Sequence, residues 1–519
     1  MHAAWELLCA ARMSVDLGSF IRTPISMSAA HQLLQRRLQQ REAAFLSVLE
    51  HVVYANARSP YRRMLRAMSC EFADIRAMVN RDGVEGALGK LADEGFYLTF
   101  DEFKGRAPVV RGGWQFRFSD RDFDNPQVRS HFILWTGGSR NPAMAVRVSL
   151  DFVADMAVHT AVALEANGLS DHRHAYWLFS TALTLALRQV KLGRSPLAWF
   201  YPLSPIPWKG QLGARWLAWL SSRLGRRLPA PEHLDLREPD RMMDWLVRAA
   251  RHGPVLLTCY ASSMVRICRA AIERGVPLSD VCFVTFGEPF TEAKRVLVEA
   301  AGARAVSHYG FTEGGLVGYS CANPTVSDDV HVFDNAYAIL QRPRAIGETG
   351  ESVDAFLLTT LLRSAPKVML NVEPGDHGLL QNRSCGCGLE SIGLRRHMAL
   401  IHSYEKLTSE GMTFAKGGLL RLLETVLPER FGGSLVDYQL VEEEDEGGIV
   451  RLNLLVSPRV GPIDEGALRQ VFLAELSRDG GPTRTGAAAW ERADTVRIRR
   501  CEPMPTAAGK ILPFHLIRH

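Results

Sequence analysis

The sequence predicts an α/β protein in which a large N-terminal domain of layered sheets and helices precedes a small α+β domain. Three observations lead to this fold class. Strand and helix patterns alternate over 255–307, which is typical of a largely parallel sheet with helices on both faces. After Phe333 the pattern becomes mostly β, which predicts a β-rich subdomain. Composition shifts again near His402, and 519 residues are too many for one core, so we expect domains at 1–402 and 403–519.

The N-terminal part of the chain gives several helix and strand predictions. Residues 1 to about 25 have no clear period, so we expect a loose extension there. Apolar residues recur near the 3.6-residue period over 31–57, which predicts a helix. Further patterns predict helices over 84–94 and 150–166 and strands over 131–135 and 175–179, whereas 191–240 gives no clear prediction.

The alternating region and the C-terminal region follow the same reasoning. Strands are predicted over 255–260, 281–285 and 303–307, with a helix ending near residue 274 and another over 291–301. Strands are then predicted over 355–361 and 367–372. In the C-terminal domain we expect a hairpin of 436–440 and 449–456, a helix over 463–478 and a strand over 495–499.

Composition and charge argue against several classes of function. Arg and Lys are scattered and the net charge is +5, so nucleic acid is not an expected partner. No run of about 18 apolar residues predicts a membrane span, and the N-terminus lacks the pattern of a signal peptide. The nine cysteines are widely spread except for Cys385 and Cys387. This pattern predicts a cytoplasmic protein with free thiols and one candidate metal site.

The stretch 308–315, which reads His-Tyr-Gly-Phe-Thr-Glu-Gly-Gly, combines three useful chemistries after a predicted strand. Tyr309 offers an aromatic face to a base, Thr312 a hydroxyl to a phosphate, and Glu313 a carboxylate to a divalent cation. Open α/β sheets bind ligands at the carboxyl ends of their strands. The stretch therefore fits a magnesium nucleotide, although a glycine-rich turn with a capping Thr and a solvated Glu fits the residues equally well.

A second loop, 136–142, also follows a predicted strand and contains hydroxyls, glycines and an arginine. Glycine lets backbone N–H groups turn toward an anion, so this loop could hold a phosphate. It is not a Walker A loop, because no Gly-Lys-Ser/Thr follows. An ordinary turn is the alternative.

Five motifs occur together in one order. They are the loop at 136–142, FGEP at 286–289, YGFTE at 309–313, EPGD at 373–376 and MPTAAGK at 504–510. In this order and spacing the chain resembles the acyl-adenylate-forming (AMP-forming) superfamily of ligases. It is most similar to the phenylacetate–CoA ligase branch and to the related acyl-protein synthetases. The resemblance implies the adenylate-forming ligase fold, in which the small C-terminal domain is mobile.

The resemblance also implies a role for each matching residue. Lys510 looks like the mobile lysine that bridges the substrate carboxylate and the α-phosphate of ATP. Thr312 would contact that phosphate, and Glu313 would hold Mg²⁺. Asp376 would accept hydrogen bonds from the ribose hydroxyls. The remaining nucleotide-binding positions implied by the resemblance are Thr136, Gly138, Ser139, Arg140, Gly287, Glu288, Pro289, Tyr309 and Gly310.

Two segments depart from the pattern of the superfamily. The loop at 136–142 is shorter than usual and carries Arg140 among its hydroxyls. The hinge between the domains, at Glu405 and Lys406, reads His-Ser-Tyr-Glu-Lys over 402–406 where the superfamily has Gly-Arg-x-Asp-Asp. Glu405 can stand for the hinge acid, but the ribose-binding arginine is missing there. Arg395 or Arg396 is a candidate substitute.

The thiol pair Cys385 and Cys387 is a candidate for metal binding, because a C-x-C turn can place both sulfurs on one ion. A closed zinc site needs four ligands. Some members of the phenylacetate–CoA ligase-like group similarly hold a structural zinc with Cys, His, Cys and Cys, and Cys321 and His331 stand in the matching places. The alternative is a buried core cysteine and a surface histidine.

The predicted function is ATP-dependent activation of an aryl or other apolar carboxylic acid to an acyl-AMP, with release of pyrophosphate. Acyl transfer to the thiol of CoA or an acyl-carrier protein would follow. Two alternatives remain open: an amide-forming synthetase with an amine acceptor, and a catalytically reduced nucleotide-binding homologue. The acid pocket is expected between 131–179 and the strand ends at Phe283 and His308. Trp135, Trp177 and Phe311 are candidate pocket aromatics, with core packing as the alternative.

Overall fold

The N-terminal part of the chain is helical. The computed structural model describes residues 2–135, 145–179, 181–202, 208–346, 351–403, 408–409, 412–413, 418–444, 450–477, 496–505, 511 and 513–517. Its first helices are α1 (His2–Arg22), α2 (Met27–Gln39), α3 (Arg41–Val48), α4 (Pro60–Ala67), α5 (Phe72–Asp93) and α6 (Phe100–Phe103), with a π-helical segment at Leu49–Tyr54. Two short hairpins follow, β1 (Val109–Arg111) with β2 (Trp114–Phe116) and β3 (Phe132–Trp135) with β4 (Ala145–Val148).

Residues 2–22 form a helix that packs on the core, so the prediction of a loose extension was wrong. Cys9, Met13 and Leu17 recur every four residues and lie buried in the core of the N-terminal domain. The charged residues between them obscured this period in the sequence. One of them, Asp16, contacts the His131 ring at 3.0 Å (Oδ2 to Nε2) and so joins α1 to the start of the β3 hairpin.

Strands and helices then alternate as the sequence predicts. The elements are α7 (Leu150–Ala166), β5 (Arg173–Trp177), α8 (Thr181–Lys191), β6 (Ala198–Tyr201), α9 (Trp208–Arg223), β7 (Pro231–His233), α10 (Pro239–Ala250), β8 (Val255–Cys259), α11 (Ala261–Glu273), β9 (Val281–Thr285), α12 (Glu292–Ala300), β10 (Arg304–Phe311) and β11 (Gly315–Ser320). The β-rich subdomain continues with β12 (Val330–Val332), β13 (Tyr337–Ile346), β14 (Glu351–Thr360), β15 (Asp376–Asn382), α13 (Gly388–Ser391) and β16 (Arg396–Ser403).

These strands form one 12-stranded sheet in the order β13-β14-β15-β16-β12-β11-β10-β9-β8-β5-β6-β7. The half from β10 to β7 is parallel, and the half from β13 to β11 is antiparallel. One face of the parallel half packs on α1, α2, α7 and α8, and the other packs on α10, α11 and α12. Because both faces are covered, β8 and β9 are buried along their full length.

Two sequence predictions about this sheet need correction. The stretch 308–315 is not simply a turn after a strand, because β10 continues through Phe311 and only 312–314 turn into β11. The segment 367–372 is not a regular strand. Asn371 has a positive φ of 50°, and its side-chain amide donates to the carbonyls of Leu88 and Phe96 at 2.8 and 3.1 Å. The segment therefore makes only isolated bridges to its neighbours.

The C-terminal segment has a separate sheet and core. The elements described here are β17 (Thr408–Ser409), β18 (Met412–Thr413), α14 (Gly418–Arg421), a π-helical segment at Leu422–Val426, α15 (Leu427–Phe431), β19 (Tyr438–Glu444), β20 (Val450–Val456), α16 (Glu465–Ser477), β21 (Val496–Arg500) and β22 (Phe514–Ile517). The sheet order is β21-β20-β19-β22, and the predicted hairpin is confirmed as β19 and β20. No helix of the described chain is long and apolar enough to cross a membrane.

Candidate active site

The hairpin of β10 and β11 brings two predicted nucleotide-binding residues together. The Tyr309 hydroxyl donates a hydrogen bond of 2.9 Å to Oδ2 of Asp376, the first residue of β15. Gly310 follows Tyr309 at a β-bulge, and a Cβ atom at this position would clash with the Gly315 carbonyl. Glycine is thus required at position 310 for the close approach of β10 and β11, the two strands on either side of the turn that carries Thr312.

The segment 286–289 lies beside this hairpin and is fixed by its own contacts. Phe286 stacks on His308 with ring centroids 4.6 Å apart. The Glu288 carboxylate accepts hydrogen bonds from the Ser262 backbone N–H at 2.7 Å and from its hydroxyl at 2.9 Å. Glu288 therefore fixes the first turn of α11. A negative charge at this N-terminal end of the helix also interacts favourably with the helix dipole. Gly287 has a φ of 73°, which allows the segment to turn there.

Glu313 forms a buried ion pair that the sequence did not reveal. Its partner is the ammonium group of Lys104, and the two side chains are only 7% and 9% exposed. Lys104 directly follows α6, whose first turn is fixed by a reciprocal capping box between Thr99 and Glu102. The two partners are 209 residues apart in the chain, so their pairing could not be inferred from local pattern. The pair neutralises a carboxylate that would otherwise be costly to bury.

Several predicted site residues lie outside the described part of the chain. They are Thr136, Gly138, Ser139, Arg140, Glu405, Lys406 and Lys510, together with the side chain of Trp135. Their roles stay predictions. Thr312 and Pro289 are described. Thr312 is half-buried in the hairpin turn, and the Pro289 carbonyl accepts a hydrogen bond of 2.8 Å from the Lys294 ammonium group.

The proposed substitution of the ribose-binding arginine by Arg396 is wrong. Arg396 pairs with Glu85 at 2.9 Å and donates to the Ile339 carbonyl at 3.1 Å. On β16 it lies opposite Asn382, whereas Asp376 lies opposite Ser403. Seven residues of extended strand separate the two positions, which is about 23 Å.

The four predicted metal ligands converge. The sulfur atoms of Cys321, Cys385 and Cys387 and a ring nitrogen of His331 all lie within 4.8 Å of one another. Nε2 of His331 is 3.1 Å from the Cys387 sulfur and 3.5 Å from the Cys385 sulfur. Its Nδ1 lies 2.9 Å from the Leu394 carbonyl. A carbonyl only accepts, so Nδ1 carries the proton and the lone pair of Nε2 faces the thiols.

A cavity lies beside His308, between α7, α8 and the parallel half of the sheet. Its polar lining includes Thr160, His174, Tyr176, Arg188, Gln189 and His308. Burial and the nearby Arg188 guanidinium lower the pKa of His308 to about 3, so its ring is neutral. Phe283 and Trp177, by contrast, pack on the opposite face of the sheet, in the core with α10 and α11. Trp177 is thus a core residue.

Comparison with solved structures identifies the fold. A 2-hydroxyisobutyryl-CoA ligase in the postadenylation state, in complex with R3-HIB-AMP, aligns over 94% of this chain and 89% of its own, with a TM-score of 0.51 and 14% identity. The chain has the adenylate-forming ligase fold. The motif resemblance is thereby confirmed at the level of the fold. No protein-family model and no curated protein sequence matches the chain.

Two further solved structures also match. They are ATP-bound MatB from Rhodopseudomonas palustris, with 12% identity over 76% of this chain and 68% of that chain and a TM-score of 0.45, and the anthranilate CoA ligase AuaEII in complex with anthranoyl-AMP, with 10% identity over 82% and 74% and a TM-score of 0.45.

Proposed function

We propose that the protein activates a carboxylic acid with ATP, forming an acyl-AMP and pyrophosphate, and then transfers the acyl group to a thiol. The observation that carries this proposal is the contact between Tyr309 and Asp376 beside the buried Glu313, within an adenylate-forming ligase fold. An aromatic ring, a ribose-binding carboxylate and a metal-binding carboxylate are the groups that a magnesium nucleotide needs.

The residues of the hairpin fit a role in holding MgATP. Glu313 supplies a buried carboxylate oxygen of the kind that Mg²⁺ prefers. Lys104 already places one positive charge against this carboxylate. Mg²⁺, when bound, would neutralise the charge that develops as the substrate carboxylate meets the α-phosphate. Thr312 lies in the same turn and would contact that phosphate.

Lys510 is proposed as the catalytic cation of the C-terminal domain. Attack of a carboxylate on a phosphate brings two anions together, and a lysine between them lowers the barrier. The C-terminal domain would then rotate about the hinge near Glu405 and Lys406 to admit the thiol. We assign the boundary of this domain to residues 402 and 403, at the last residue of β16.

The cluster of Cys321, His331, Cys385 and Cys387 is proposed to hold a structural zinc ion. In a tetrahedral site with bonds of about 2.3 Å to sulfur and 2.0 Å to nitrogen, the ligand atoms are about 3.5–3.8 Å apart. In the cluster, Nε2 of His331 lies 3.5 Å from the Cys385 sulfur and 3.1 Å from the Cys387 sulfur, and all four ligand atoms lie within 4.8 Å of one another, so small shifts would bring them to these separations. The bond from His331 to the Leu394 carbonyl supplies the outer contact that orients a ligating histidine. Four protein ligands leave no open position, so the role would be structural.

Pyrophosphate release from MgATP across a panel of carboxylic acids tests the function. We expect acid-dependent release that falls by about 10²–10³-fold in Lys510→Ala, the loss typical of one contact to developing charge. Lys90→Ala is a matched control, because the Lys90 side chain is 46% exposed and, within the described chain, forms an ion pair with Asp82 alone. Acid-dependent release that is equal in all three proteins would contradict the role of Lys510. No release with any acid would contradict the proposed function.

The acceptor is tested in the same assay. CoA, an acyl-carrier protein and hydroxylamine are added separately after acyl-AMP has formed. We expect a thioester product when a thiol is added, and a higher rate of pyrophosphate release than without an acceptor. Consumption of the amine alone would contradict a thiol acceptor.

A further inference from the structure

Arg188, on the inner face of α8, is a buried cation with no anionic partner. Arg188 is only 9% exposed, its Nε has no hydrogen-bond partner, and it makes no ion pair with any described residue. Burial lowers its pKa to about 10, and the groups that act against this shift are the phenols of Tyr337 and Tyr176 rather than a carboxylate. An unpaired guanidinium in such a place is costly.

Three other buried cations of this domain have a carboxylate partner, and a fourth, Lys191, donates to the Phe20 and Thr23 carbonyls and to the Thr23 hydroxyl. Lys367 contacts Asp124 at 2.7 Å, and Lys294 contacts Glu424 at 2.8 Å. Lys104 pairs with Glu313. Each of these buried lysines thus has an acceptor within the described chain, whereas no carboxylate, carbonyl or hydroxyl of the described residues accepts from the Arg188 guanidinium. This difference indicates that the partner of Arg188 is not among the described residues.

The cavity beside Arg188 contains further polar atoms without partners. The Tyr176 hydroxyl, Nε2 of His174 and Oε1 of Gln189 are buried and make no hydrogen bond within the described chain. The space available to the centres of water-sized molecules is about 30 Å³, and roughly 10–15 Å³ is needed for one water. The cavity therefore has room for a small polar group. Its other walls are mostly apolar, contributed by Leu164, Leu185, Leu256, Val284 and Leu316.

The position of the cavity connects it to the proposed active site. His308 lines it and immediately precedes Tyr309 in β10, so the two side chains point to opposite sides of the strand. The His308 ring also stacks on Phe286 of the segment 286–289. The cavity and Arg188 are therefore separated from the segment 286–289 by one side chain, that of His308.

We infer that this cavity binds a second anionic group of the acid substrate, and that the substrate is a dicarboxylic acid. The inference rests on the proposed function. The Arg188 guanidinium would donate to both oxygens of the distal carboxylate, the geometry in which arginine and carboxylate bind most strongly. The Tyr176 hydroxyl would donate to one of them. The sequence suggested an aryl or other apolar acid. The substrate inferred here instead has an apolar middle and a second, charged end.

The test compares matched acids on the wild type and on Arg188→Met, a variant of similar shape without the charge. The acid pairs are butyrate with succinate, hexanoate with adipate, and benzoate with terephthalate, each with the half-amide of the diacid. We expect pyrophosphate release with at least one diacid, with kcat/KM at least about 10²-fold above its monoacid and half-amide. Arg188→Met should lose this preference, because removing one partner of a buried charge pair costs about 30-fold or more.

Two further variants separate binding from folding. Arg188→Lys keeps the charge and should retain part of the diacid preference, and Tyr176→Phe should lose about tenfold on the diacid alone. Arg188→Met should unfold at the same temperature as the wild type or higher, because it removes an unpaired buried charge. A large loss of stability in Arg188→Met, with unchanged acid preference in Arg188→Lys and Tyr176→Phe, would overturn the inference.

Thermal unfolding with diacid but without ATP keeps the two proposals distinguishable. Stabilisation of the wild type but not of Arg188→Met supports the anion site even if no acid releases pyrophosphate. Release with monoacids only, unchanged in Arg188→Met, would overturn the inference while the proposed function stands. Equal stabilisation by inorganic phosphate and by every diacid would overturn the assignment of the substrate class.

Discussion

Replacing Lys104 with Met should destabilise the N-terminal domain and make its stability depend on Mg²⁺. The substitution leaves the Glu313 carboxylate buried without its partner, since both side chains are under 10% exposed. Removing one partner of such a pair costs about 3–5 kcal/mol. For a cooperative unit of about 400 residues the unfolding entropy is about 0.8 kcal/mol/K, so the unfolding temperature should fall by about 4–6 °C.

Addition of MgATP without an acid should restore part of this loss, because the ion supplies positive charge to the same carboxylate. Differential scanning calorimetry with and without MgATP measures both effects. Lys367→Met is the matched control, because Lys367 forms a comparable buried pair with Asp124, a carboxylate to which no nucleotide-binding role is assigned. It should lose stability without a larger response to MgATP than the wild type.

The double variant Lys104→Met with Glu313→Gln removes both charges and should regain much of the lost stability, although it should not release pyrophosphate. The reasoning would be refuted if Lys104→Met unfolded within about 1 °C of the wild type, which is the precision of the scan. The ion pair would then contribute nothing to the stability of the domain. An equal response to MgATP in Lys104→Met and Lys367→Met would show that Glu313 does not receive the ion.

The remaining predictions concern three other contacts. Tyr309→Phe removes the hydroxyl that donates to Asp376, so the KM for ATP in pyrophosphate release should rise about tenfold, and an unchanged KM would contradict the contact. Elemental analysis should find about one zinc per chain, and Cys387→Ser should lower both the zinc content and the unfolding temperature; metal-free protein of full stability would exclude the site. Lys294→Met leaves the Glu424 carboxylate of the C-terminal segment buried without its partner. The single variant should therefore be cleaved by a protease faster than the double variant Lys294→Met with Glu424→Gln. Equal rates of cleavage would show that the pair is not formed.

Sequence patterns were most informative where an element is covered on both faces. Strand β9 and helix α7 have the predicted bounds. Each is enclosed by the core, so its apolar residues run along the whole element and mark where it begins and ends. The pattern misled at Asn371, where a positive φ held by two side-chain hydrogen bonds interrupts an otherwise strand-like run. Nothing in the local sequence distinguishes that residue from an ordinary loop asparagine.

The site was predictable in its motifs but not in the charges that surround them. Tyr309 and Asp376 could be placed together because each belongs to a motif with a known order. Lys104 belongs to no motif, and it meets Glu313 only through the packing of α6 against the hairpin. Arg188 gives an even weaker signal, because a single arginine in a helix is normally solvated. Its significance lies in the partner it lacks, which only a folded structure can show.

The metal cluster and the nucleotide site are attached to the same strands, which suggests a structural role for the cluster in the nucleotide site. Cys321 follows β11, His331 lies in β12, and Cys385 and Cys387 follow β15. Strand β15 begins with Asp376, the partner of Tyr309. An ion held by all four ligands would therefore join the end of β15 to the strands that continue from the β10–β11 hairpin. Fixing these strands to one another would reduce the freedom of Asp376 relative to Tyr309 at the opposite end of β15, and so preorganise the nucleotide site.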